Sequence, residues 1–183
     1  MQSYSEALVS DLASWFAVET LPRREASVCC ILNNKGYQPF LPQYKVRRRW
    51  SDRLKVVDRP LFPGYLFCRL GLRQRTLPLL TTPGVLQLVG VGKIPQPVPD
   101  HEIEAVQAII RSGLPAQPWP FLKVGERVLI TGGPLEGVEG TLAAARKHFQ
   151  LVVSVEMLQR SVAVVIDSAF VRAARPRIDR IRP

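Results

Sequence analysis

Histidine and cysteine are scarce here: His101 and His148, and Cys29, Cys30 and Cys68, are the only ones in 183 positions. Two histidines so far apart leave no metal-ligand spacing. Three cysteines, two of them adjacent, cannot form a disulfide framework, and a reducing cytoplasm is their natural setting. They read as small core hydrophobes, with redox sensing a minor alternative. No run approaches the roughly 18 apolar residues of a membrane span. The start, MQSYSEALVSDLASW, carries acids and no basic opening, so it does not read as a secretory leader. Nor does any acid pair, nucleophile–base set, metal cluster or phosphate loop rise above chance. No catalytic residue, metal or cofactor is assigned, and the chain is not expected to be an enzyme or to meet a membrane.

What the sequence has in excess is positive charge. There are 25 Lys and Arg against 15 Asp and Glu, a formal net charge of +10. The stretch KVRRRWSDRLKVVDR, 45–59, sets Lys45, Arg47, Arg48, Arg49, Arg53, Lys55 and Arg59 against Asp52 and Asp58, which is half of that net charge. The end, RAARPRIDRIRP, adds five arginines against Asp179. A polyanion partner follows, and nucleic acid is the default candidate.

The length permits one medium domain or two small ones. RPLFPGYLFCRL, 59–70, reads as a strand entered through a Pro-Gly bend. Alternation points Leu66, Cys68 and Leu70 one way and Tyr65, Phe67 and Arg69 the other. An arginine on the aromatic face leaves two readings: a core face that ends at Arg69, or a binding surface with a polar rim. SWFAVETL is a second strand, with Phe16 and Val18 opposite Ala17 and Glu19. Thr20 is expected to cap the helix that follows, in which Val28, Ile31 and Leu32 recur at helical spacing before Gly36. YQPFLPQYKV suits an edge strand, and RRRWSDRLK the tip of a hairpin. A short helix near RQRTLPLLTT, a strand in PGVLQLVGVG and a helix in DHEIEAVQAIIRSG follow, the last with Ile103, Val106 and Ile110 on one side and Gly113 as its stop. LPAQPWP, with three prolines in seven residues, is expected to be an interdomain linker. From Phe121 the chain breaks into short strand-like runs around TGGPLEG, which suggests a small barrel. TLAAARKHF and EMLQRSVAVV are also compatible with helix on propensity alone.

The order of these elements, with WFAVETLPRRE, RPLFPGYLFCRL, TTPGVLQLVG and VGERVLITGGPLEGVEGTL in sequence, resembles the NusG family of transcription elongation and antitermination factors. The last stretch looks like a KOW motif with Gly137 at its key glycine. The resemblance implies an α+β fold: an N-terminal antiparallel four-stranded sheet flanked by helices over 12–113, a linker at 114–120, an SH3-like barrel over 121–174 and a basic tail at 175–183. It implies a cytoplasmic, monomeric, non-catalytic factor. The factor would bind the clamp helices of RNA polymerase through Phe62, Tyr65 and Phe67, with Glu19 standing where an apolar residue is expected. Arg73 and Arg75 would meet the opposite side of the polymerase cleft. Arg47, Arg48, Arg49, Arg53 and Lys55 would contact the non-template DNA strand, since guanidinium groups grip phosphate bidentately, and Trp50 could stack on an unpaired base. Leu158 and Arg160 match the positions that meet termination factor Rho or a small-subunit ribosomal protein, although QRSVAVV replaces the usual proline-containing strand. A specialised paralogue that suppresses pausing or termination at particular operons is favoured over a housekeeping factor. A ribosome-associated RNA-binding protein would explain the charge and the barrel, but not the N-terminal half.

Overall fold

The computed structural model describes residues 13–50, 53–71, 76–92, 94–120, 125–145 and 148–174. Arg73, Arg75 and the basic tail at 175–183 lie outside the described residues. The fold is α+β, as expected.

Strand β1 (Ser14–Thr20) is the middle of the first sheet. It pairs antiparallel with β5 (Tyr65–Leu70), β6 (Val85–Leu88) and the short β9 (Pro97–Val98), and β2 (Gln38–Phe40) lies outside β5. Because successive side chains alternate, the sheet has two apolar faces. Val18, Leu66, Cys68 and Leu70 pack with Val28 and Leu32 of helix α1 (Glu25–Asn34), and with Leu79 of the short α2 (Leu77–Leu80). Ala17 and Phe67 lie in the second cluster, with Phe62 and with Ile103, Val106 and Ile109 of α3 (Asp100–Ser112). Gly113, at φ 67°, ends α3 in the left-handed region as expected.

The bend before β5 is fixed from two directions. The Gly64 carbonyl accepts the Thr20 amide at 2.9 Å, and the Gly64 amide donates to Glu25 Oε1 at 2.8 Å. Gly64 sits at φ 86°, where a β-carbon is strained. These bonds also explain why Thr20 does not cap α1. It ends β1, buried and tied to the bend, and the helix opens five residues later at Glu25 with no side-chain cap.

Two strands, β3 (Gln43–Trp50) and β4 (Arg53–Pro60), form a hairpin sheet of their own. A miniature pair, β7 (Gly90–Val91) and β8 (Ile94–Pro95), follows β6. The C-terminal half is a six-stranded antiparallel sheet ordered β10 (Ala116–Pro120), β14 (Arg160–Ile166), β13 (His148–Val155), β12 (Glu139–Ala145), β11 (Glu126–Ile130) and β15 (Val171–Ala173). The stretch 114–120 therefore contains a strand where a linker was expected. Its prolines are tolerated because β10 stands at the sheet edge and pairs on one side only, with β14. The two segments of helical propensity are β12, β13 and β14, with a single 3-10 turn at Glu156–Leu158. Burial of Val152, Val153, Val162 and Val164 decides this against local preference.

The two halves are in contact. α3 packs on β1, on β13 and on the 3-10 turn Gly133–Leu135, and one apolar cluster runs from Phe62 and Phe67 through Val106 to Val128, Leu151, Val153 and Leu158.

Replacing Glu25 by Ala leaves the Gly64 amide without its acceptor, and is expected to lower unfolding free energy by about 1–3 kcal/mol. Urea denaturation of Glu25→Ala beside Glu25→Gln, which keeps an acceptor, checks this. Equal losses in the two variants would show that the hydrogen bond is not what Glu25 contributes.

Candidate partner-binding surfaces

The aromatic face is built by β1, β2, β5 and the bend. Phe67 is at its centre, with Phe62 edge-on at 5.5 Å between ring centroids and Phe40 stacked at 6.2 Å; Trp15 meets Phe40 edge-on, also at 6.2 Å. Phe62 and Phe67 are fully buried, and Tyr65 is half-buried. In this arrangement Phe62 and Phe67 are core residues, not an open patch. The alternation predicted for 65–70 is observed, but α3 and the barrel share the apolar cluster with its aromatic side. Arg69 is half-buried, with its Nε donating to the Ala13 carbonyl at 3.4 Å. Glu19 lies opposite Tyr65 in the ladder and accepts a hydrogen bond from Gln87 Nε2 at 2.7 Å.

Tyr65 is where the two halves meet through a charge. The Arg160 guanidinium lies over the Tyr65 ring, 5.4 Å from its centroid. Arg160 opens β14, directly after the turn that carries Leu158, and Leu158 is buried in the shared apolar cluster. Sequence reasoning assigned Tyr65 to one partner and Leu158 and Arg160 to another; here Tyr65 and Arg160 touch each other, and Leu158 shares Tyr65's apolar cluster. Gly137, at φ 84°, donates its amide to the Ile130 carbonyl at 2.8 Å and closes the turn between β11 and β12.

The basic hairpin stands on Tyr44, which is half-buried against the core, and on a bond from the Leu61 amide to the Pro42 carbonyl at 2.9 Å. Its register sets Arg47 opposite Val56, Arg48 opposite Lys55, Arg49 opposite Leu54 and Trp50 opposite Arg53. Arg47, Arg53 and Lys55 are exposed. The side chains of Arg48, Arg49 and Trp50 lie outside what the structure describes.

One titratable group that the sequence did not single out is held in the seam. Glu102, in the first turn of α3, is 8% exposed, and its Oε2 has no hydrogen-bond partner. Burial, and less strongly the nearby Glu156 carboxylate, push its carboxyl up to about 7, while the Glu156 backbone amide offsets part of that rise. Two of the three cysteines, Cys29 and Cys68, point away from redox chemistry, while Cys30 is exposed. Burial raises the Cys68 thiol to about 12, and burial and then Cys30 raise Cys29, which suppresses thiolate in both. Among the described residues no group of His, Cys, Asp and Glu could hold a metal ion. No described helix is long and apolar enough to cross a membrane.

Comparison with known proteins gives one consistent result. The family model NusG, described as transcription termination factor nusG, matches residues 13–107, more than half of the chain. The transcription termination/antitermination protein NusG of Borreliella burgdorferi is 26% identical over 174 residues, covering 84% of this chain and 95% of the relative. That of Thermus thermophilus is 28% identical over 174 residues, covering 84% and 94%. A solved chain described as "Domain interaction in Thermotoga maritima NusG" superposes with a TM-score of 0.53 at 22% identity, over 91% of this chain and 99% of that one, and supports a shared fold. The sheet, the bend and the extent of these matches agree: this chain belongs to the NusG family.

Proposed function

We propose that this chain is a transcription elongation and antitermination factor that engages RNA polymerase through its N-terminal unit, 12–113, and suppresses pausing or termination without catalysing a reaction. The hairpin of β3 and β4 would lie along the non-template DNA strand, and the barrel would recruit a second partner, Rho or a small-subunit ribosomal protein, through Leu158 and Arg160. The single observation that carries this reading, within the family, is the hairpin. Its exposed Arg47, Arg53 and Lys55 belong to a run of seven basic residues on two paired strands. A sequence-independent polyanion contact needs cations in a row, not a pocket. The same charge favours an operon-restricted paralogue over a general factor. A ribosome-associated RNA-binding protein has no use for the four-ring aromatic cluster beside the barrel.

The contact of Arg160 with Tyr65 supports a second element of the reading: the chain rests in a closed form that covers both partner surfaces, and it works after the barrel swings away. Tyr65 is the docking residue most directly covered by it. Burial within an apolar cluster and a cation over a ring are both interactions that water and a competing apolar partner can replace.

Polymerase binding by the full chain tests both elements. Tyr65→Ala is expected to weaken binding by about 2 kcal/mol, the scale of an interface hot spot. Arg160→Ala is expected to strengthen it about two- to fivefold, since an exposed cation–π contact holds about 0.5–1 kcal/mol of the closed form. A Tyr65→Ala chain that binds like its parent removes the docking face from the reading. An Arg160→Ala chain that binds no better removes the masking.

The hairpin has its own test. Log affinity for single-stranded nucleic acid falls by roughly 0.7 per neutralised phosphate per decade of salt. Replacing Arg47, Arg48 and Arg49 together by Ala is expected to flatten that slope by about two for DNA in a reconstituted elongation complex. An unchanged slope would leave the hairpin as a solvated arm.

A further inference from the structure

Resting on the closed form just described, we infer that Glu102 is its latch: the carboxyl, enclosed where α3 meets the barrel, holds the two halves together while it carries a proton and drives them apart when it loses it.

The geometry is that of an interface built over a titratable group. Glu102 stands in the first turn of α3, the helix that packs on β1 and on β13, and it is buried although its side chain is ionisable. One carboxyl oxygen has no partner. A neutral acid with an unpaired oxygen is a modest burden in a protein interior, whereas a carboxylate there is a severe one. From the barrel, the 3-10 turn Glu156–Leu158 brings a second carboxylate towards it, and that turn also carries Leu158 of the shared cluster. Beside Glu102 an open groove of about 920 Å³ runs between α3 and the barrel. The ionisable groups on its walls are His101, Glu104 and Arg111 from α3, Glu136 from the β11–β12 turn, and Arg127 of β11, which is paired with Glu139 of β12 at 3.1 Å. From β1 the acid is Glu19, engaged by Gln87. Among the described residues none of these cations is ion-paired with Glu102, and the charge that acts on it is the negative one of Glu156. The helix N-terminus favours the ionised form, but burial outweighs it.

When the barrel lifts, Glu102 returns to water at the start of a helix and its carboxyl returns towards the ordinary value of 4.5, against about 7 when closed. The sign follows from linkage: the closed state binds the proton more tightly, so its advantage is fully present below pH 4.5 and is lost as pH rises through about 7. Between pH 5 and 8 the closed-to-open ratio is expected to fall on the order of a hundredfold.

The test is backbone 15N relaxation of the full chain across pH 5 to 8, which reads whether the two halves tumble together or apart. In the parent, joint tumbling at pH 5 is expected to give way to separate tumbling by pH 8. Glu102→Gln, which keeps the shape and cannot ionise, is expected to stay joined throughout. Glu156→Gln, which removes the facing charge, is expected to lower the midpoint of the Glu102 titration in the closed form, since repulsion from Glu156 raises it, and to leave more of the chain closed at pH 8 than in the parent. Tumbling that ignores pH in the parent, or a Glu102→Gln chain that opens with pH as the parent does, overturns the latch. Polymerase binding measured on the same samples separates the two ideas. If opening follows pH but binding does not follow opening, the masking role fails while the latch stands.

Discussion

The rest of this structure depends on α3 being apolar along more than one row. Ile103, Val106 and Ile109 are buried, and Ala105, Ala108 and Ile110 pack against the same cluster. A helix that only roofed a sheet would need one stripe about 100° wide. The additional small residues let α3 approach the barrel as well, so the sheet, the helix and the barrel share one core. Tyr65, Leu158 and Glu102 take their environments from that shared contact.

The interface so made is strong at its centre and flawed at its rim. Burying a side chain such as Phe62 or Leu158 contributes about 1.5–3 kcal/mol, and paired aromatic rings add about 0.5–1.5 kcal/mol. Against this stand a carboxyl oxygen without a partner and an exposed guanidinium held only over a ring. A permanent domain contact gains nothing from either feature. In a contact that must separate, both lower the free energy needed to part the halves, and each gives a competing partner or a proton something specific to act on.

Much of the fold was legible because it is written in alternation and in punctuation. The two faces of 65–70, the strand at Ser14–Thr20, the stop of α3 at Gly113 and the turn at Gly137 all follow from local rules. Thr20 misled because its side chain suits a cap, while its amide is taken by Gly64, a long-range bond that no local pattern reveals. LPAQPWP misled because prolines mark edge strands as well as linkers, and only the partner strand β14 decides between them. Among site residues, the sequence grouped the hairpin cations, which lie on two paired strands, and the aromatic face, whose Phe62 and Phe67 are core residues. It could not see that Tyr65 and Arg160 would meet across 95 positions of chain, since packing of one domain on another leaves no period. The one available signal was the Ala105–Ala108 row in α3, which is quiet because alanine carries little hydrophobic weight.

Glu102 shows why such a residue escapes a sequence reading altogether. An acid in the first turn of a helix is what the helix dipole favours, so its presence there needs no further reason. Its environment, not its position in the helix, sets it apart. With the barrel seated it is nearly enclosed and faces a second acid. The same side chain therefore serves local helix formation in one arrangement and opposes tertiary packing in the other. A group whose two roles conflict registers which arrangement the chain is in, and that conflict, rather than any single contact, makes closure responsive to its surroundings.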